Sequence, residues 1–97
     1  MDFKQIEAFV VVADQKSFSK AADICLLTQP TISARISTLE KELGVRLIDR
    51  NSRELVLTDY GHVFYRYAEE MLETRNKAES SIRHMSKEIK GVIERAS

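Results

Sequence analysis

The sequence predicts a mainly α fold: three short helices, a small β-hairpin and a long fourth helix. Three observations carry that expectation. Apolar residues recur at three- and four-residue spacing in four stretches; a capping residue (Asp2, Ser17, Thr28 or Thr58) heads each; and two short apolar runs around a polar turn break the helical pattern at residues 45–57. Ninety-seven residues, 43% of them hydrophobic, allow one small core and no second.

The first helix is announced by Asp2 and Gln5, a capping-box pair, after which Phe3, Ile6, Phe9, Val10 and Ala13 mark one apolar face to about Gln15. Ser17 caps a short second helix, in which Ala21 and Ala22 let a neighbouring helix come close. The third runs from Thr28, a good N-cap, to Gly44, a C-terminal stop, with Pro30 tolerated in the first turn. At about 100° per residue, Ile32, Ile36, Leu39 and Leu43 fall within roughly 60° of one another and should face the core. The opposite face carries Pro30, Ala34, Ser37 and Lys41, flanked by Gln29, Thr31, Ser33 and Thr38. Between Ala22 and Ile32 the chain can end one helix, turn and start the next, which is helix-turn-helix spacing without the usual turn glycine.

After Gly44, Val45 and Leu47 form one apolar run and Leu55, Val56 and Leu57 the other, with Arg-Asn-Ser-Arg-Glu at 50–54 between them. Following a recognition helix, such a hairpin is a wing, so the predicted fold is a winged helix-turn-helix over residues 1–58. Thr58 then caps a helix from Asp59 to about Ile89. Phe64, Ala68, Met71, Arg75, Ala78, Ile82, Met85, Ile89 and Val92 make a heptad seam interrupted only by Arg75. About 31 helical residues reach roughly 46 Å, more than so small a domain can cover. Residues 59–90 are therefore expected to dimerise, most simply with the same helix of a second chain. Gly91 opens a hinge or tail over residues 91–97.

Small polar and apolar side chains near a helix N-terminus suit close approach to base edges and phosphates. Gln29 can pair bidentately with adenine, Pro30 and Ala34 offer surface for a thymine methyl or simply allow close approach, and Ser33, counted with these base contacts, can also donate to phosphate. Thr31, Ser37 and Thr38 can donate to phosphate, although Thr31 can equally satisfy the helix N-terminus. Arg53, and after it Arg50, stand at the wing tip within reach of phosphate or minor groove; Arg50 can instead pair with Asp49 or with an acidic group of the core. Fifteen basic and fifteen acidic residues cancel, which opposes a DNA reader mildly and favours a competitor, a winged helix that docks on protein. The basic residues Arg46, Arg50 and Arg53 nonetheless stand apart from the acidic Glu69, Glu70 and Glu73.

Catalysis finds little support. Cys25 reads as a small buried hydrophobe, His62 and His84 lie too far apart on one helix to share a metal, and three glycines make no phosphate loop. No cofactor or metal is expected. A lone cysteine fits a reducing cytoplasm, and neither a leader pattern nor a run of about 20 apolar residues occurs, so a soluble cytoplasmic protein is expected.

Taken together, several segments resemble the N-terminal DNA-binding part of LysR-type transcriptional regulators: Phe3 to Val12, Ser-Phe-Ser-Lys-Ala-Ala at 17–22, Thr-Gln-Pro-Thr-Ile-Ser at 28–33, Leu-Glu-Lys-Glu-Leu-Gly-Val-Arg-Leu at 39–47, Arg50, and Leu-Thr-Asp-Tyr-Gly at 57–61. Each is weak alone; their order and spacing are specific. The resemblance implies a linker helix that pairs antiparallel in a homodimer, an interrupted pseudo-palindromic operator, and activation or repression of bacterial operons. It also implies a tetramer as an option for a full-length protein and a small-molecule effector bound by a C-terminal domain not present here. The expectation is an isolated DNA-binding fragment, with a naturally short protein as the alternative. Two departures from the family pattern stand out. Ala34 occupies a position where many members have a long polar residue, with Arg35 next door on the flank of the core stripe, and Ile24 and Leu26 replace polar residues.

Overall fold

Asp2 begins the first helix by accepting from the Gln5 backbone N–H at 2.8 Å, while the Gln5 side chain accepts from the Asp2 N–H at 3.1 Å, closing the capping box of α1 (Phe3–Gln15). In this computed structural model, which describes residues 1–96 and side chains through Glu88, the other predicted caps also form. Ser17 accepts from the Lys20 N–H at the head of α2 (Phe18–Cys25), and Thr28 from the Thr31 N–H at the head of α3 (Gln29–Leu43). Gly44 ends α3 at φ 75, and Thr58 accepts from the Gly61 N–H at the start of α4 (Asp59–Ala96). The turn between α2 and α3 lacks glycine because Leu26 takes the left-handed conformation instead, at φ 57 and 90% exposed.

Phe9 and Val12 of α1, Ile32, Ile36 and Leu39 of α3, and Leu47 and Ile48 beyond it form the fully buried centre, and Ala21 and Ala22 bring α2 close as predicted. Leu43, predicted in the core stripe, is instead 39% exposed. The last turn of α3 overhangs the core, and Leu43 lies beside Tyr60, Val63 and Tyr67 of α4 at the surface.

The hairpin is present but shifted from its predicted position. β1 (Ile48–Asp49) pairs antiparallel with β2 (Val56–Leu57), Ile48 opposite Leu57 and Asp49 opposite Val56. Val45 and Leu47, predicted in the first strand, lie before it. The Leu47 N–H donates to the Glu40 carboxylate at 2.7 Å, and the Leu47 carbonyl accepts from the Thr58 N–H at 3.0 Å, so both are engaged outside the ladder.

The long helix has two halves with different neighbours. Phe64, Ala68 and Met71, predicted as dimer contacts, pack on this chain's own core, with Ala68 fully buried and the Phe64 ring 5.5 Å from that of Phe9. Only Ala68 is thereby closed to a partner; Phe64 and Met71 are covered in part and keep some exposed surface. Arg75, the interruption in the heptads, lies 5.3 Å over the Phe3 ring and 3.5 Å from Glu7, and so belongs to the α1 contact as well. Beyond it Ala78, Ile82 and Met85 are exposed, while Ile89 and Val92 lie outside the residues with described side chains. The radius of gyration, 17.8 Å, exceeds the roughly 13 Å of a compact 100-residue domain because this second half projects.

Candidate nucleic-acid interface

Helix α3 presents its predicted polar face outward. Gln29, Pro30, Ala34, Thr38 and Lys41 are exposed, and Thr31, Ser33, Arg35 and Ser37 half-buried, while the buried stripe beneath fixes the helix against α1 and α2. Two hydroxyls of this face are engaged within α3 and its cap. Thr38 donates to the Ala34 carbonyl at 3.0 Å, so its proton is committed within the helix rather than free for phosphate. Thr31 shares a 2.8 Å hydrogen bond with the Thr28 hydroxyl, the helix-terminal alternative.

A cation that the sequence did not single out flanks this face. Lys4 of α1 borders a shallow concavity with Pro30, Thr31, Ala34, Arg35 and Thr38. On the α1 wheel Lys4 is one more solvated residue; only the packing of α1 across α3 brings it here. Arg35 itself lies near enough to Cys25 to act on its thiol. Burial is the main cause pushing that thiol's pKa up, Glu7 adds to it and Arg35 opposes.

On the wing, Arg53 is exposed and forms no ion pair or hydrogen bond among the described residues. Arg50 does otherwise. Its guanidinium donates to Glu40 at 3.3 Å and lies 5.7 Å over the Phe18 ring, which realises the acidic-partner alternative rather than a free wing cation. Glu40 is 4% exposed and accepts four donors: Leu47 and Ile48 N–H, Arg46 and Arg50. Glu40 stands next to Leu39 of the core stripe, but its burial depends on donors six to ten residues downstream, which no helical wheel shows.

A second surface runs along α4. Tyr60, Val63 and Tyr67 are each more than half exposed and form an apolar groove with Leu43, and Ile82 and Met85 continue the apolar character further out. His84 lies 2.9 Å from Glu88, one turn away. Among the described residues no group of three or more His, Cys, Asp and Glu side chains could hold a metal, and no helix is long and apolar enough to cross a membrane.

A family model described as bacterial regulatory helix-turn-helix protein, lysR family, matches residues 3–62. The HTH-type transcriptional regulator BenM of Acinetobacter baylyi is 43% identical over 72 residues, covering 74% of this chain and 24% of that protein. CitR of Bacillus subtilis, another HTH-type transcriptional regulator, is 40% identical over 73 residues, or 75% and 25% of the two chains. Among solved structures, the BenM DNA-binding domain bound to catB site 1 DNA superposes with a TM-score of 0.86 at 37% identity, covering 89% of this chain and 97% of that one. Vibrio fischeri DarR in complex with DNA gives 0.84 at 36% identity, covering 90% and 30%. The chain thus spans about a quarter of the length of these curated relatives.

Proposed function

Because the chain belongs to the LysR family of bacterial regulatory helix-turn-helix proteins, whose relatives are transcriptional regulators rather than enzymes, we propose that it reads operator DNA as a homodimer. The observation that carries this reading is the exposed small-residue face of α3 beside a wing whose Arg53 pairs with no other described residue. Helix α3 enters the major groove, with Gln29, Pro30, Ser33 and Ala34 toward base edges and Arg35, Ser37 and Thr31 toward the backbone. Arg53 reaches the adjacent minor groove or its phosphates. Thr38 flanks this face without a free proton.

The second half of α4 supplies the dimer. Antiparallel pairing sets Ala78, Ile82 and Met85 of one chain against exposed Tyr60, Val63 and Tyr67 of the other, covering both and separating the two recognition helices for an interrupted, pseudo-palindromic operator. Such a regulator acts in the cytoplasm, and effector sensing belongs outside these residues.

Selection of bound sequences from random duplexes tests the reading. Paired half-sites at fixed spacing, with log affinity falling linearly with log salt by about 0.9 per neutralised phosphate, are expected. Failure to enrich any sequence, together with binding indifferent to salt, would instead identify a protein-docking winged helix.

A further inference from the structure

We infer that Glu40 is a positioning residue for DNA binding: through Arg50 it holds the wing at the angle that lets Arg53 and α3 engage one duplex together. The inference rests on the DNA-reading role above. A ladder of two residue pairs is too short to aim a six-residue tip by itself, since isolated hairpins are marginal even when longer. Arg50 stands where β1 gives way to that tip. Its guanidinium joins three elements at once, donating to Glu40 of α3 at 3.3 Å and covering Phe18, the first residue of α2, at 5.7 Å. The same carboxylate takes the Leu47 and Ile48 N–H groups at 2.7 and 3.4 Å, so one buried side chain fixes both the entry to β1 and its exit. Arg50 is thereby neutralised by a buried partner and serves as a strut, leaving Arg53 as the wing's cation.

Charge and position predict opposite signs for Glu40→Gln. Removing a negative charge near DNA should tighten binding or leave it unchanged on Coulomb grounds. Releasing the strut should weaken it, by about tenfold, the scale of one lost charged contact.

The test is a double-mutant cycle in fluorescence anisotropy on the 97-residue chain, with Glu40→Gln, Arg53→Ala and the pair. Arg53→Ala alone is expected to cost about tenfold, and less than about threefold once Glu40→Gln is present, although the two side chains do not touch. Equal or tighter binding by Glu40→Gln, or costs that simply multiply, overturns the inference. Arg50→Gln, on a half-exposed side chain, repeats the cycle should Glu40→Gln fail to fold, because Glu40 then keeps Arg46 and both backbone donors. It should show the same non-additivity; a drop of about one in the log–log salt slope with multiplicative costs would make Arg50 a direct contact instead. Wild-type binding without salt dependence would overturn the DNA-reading role itself, and is recognisable before any variant is made.

Discussion

Alanine at position 61 should unseat the long helix. Gly61 is buried in the first turn of α4, and an added Cβ would lie 2.0 Å from the Leu47 carbonyl oxygen and 3.1 Å from the Leu57 Cβ. The obstacle cannot step aside: the Leu47 carbonyl accepts from Thr58 at 3.0 Å and the Leu47 N–H is held by Glu40 at 2.7 Å. Ordinary contact begins at 3.4 Å, so α4 must retreat by about 1.4 Å, an overpacking at or above the upper end of the usual cost of about 3 kcal/mol. Glycine to alanine in an unobstructed helix would gain about 1 kcal/mol, leaving a net loss of about 2 kcal/mol. For a domain this size that lowers Tm by about 10 °C. Thermal and urea melts followed by circular dichroism read the effect directly. Gly44→Ala is the control, because φ there is 75 but nothing lies within 4 Å, and it should cost only the left-handed strain of about 1 kcal/mol. A Gly61→Ala protein as stable as wild type or more so would refute the close approach of α4 to Leu47.

Leu26→Asn should raise stability by up to about 1 kcal/mol in the same melts, since Asn tolerates the left-handed turn and the exposed leucine buries almost nothing; a lower Tm would argue against that backbone. The hydrogen bond to Asp14, and then burial, hold the Tyr65 hydroxyl's pKa above its ordinary 10.0. A group raised on folding stabilises fully below its unfolded pKa, so this contribution should fade as pH climbs past about 10. Tyr65→Phe should lower Tm at neutral pH and lack that additional alkaline loss; parallel pH profiles for the two proteins would contradict it. Ile82→Glu, on a side chain 66% exposed, should leave the fold intact, yield monomers in sedimentation and sharply reduce operator affinity, whereas an intact dimer would remove Ile82 from the interface.

Helix boundaries were legible because their causes are local. Asp2 with Gln5, Ser17, Thr28 and Thr58 each satisfy an N–H three residues away, and Gly44 ends α3 by its own backbone freedom, so the residue types announce the geometry. The α3 wheel likewise placed Ile32, Ile36 and Leu39 inside and Gln29, Pro30 and Ala34 outside, because a fixed helical period maps sequence onto faces.

What only the tertiary structure decided depends on which distant surfaces meet. One seam along α4 is continuous in sequence, yet Phe64, Ala68 and Met71 serve this chain's core while Ile82 and Met85 remain open, a division set by where α1 begins, at Phe3 beside Arg75. Lys4 joins the α3 face, Leu43 leaves the core, and β1 starts at Ile48 for the same kind of reason. Arg50 and Arg53 are equally basic in sequence and differ only in having or lacking a buried carboxylate within reach. Burying that charge on Glu40 is tolerable only with its donors in place, and those donors assemble when the chain after α3 folds back over it.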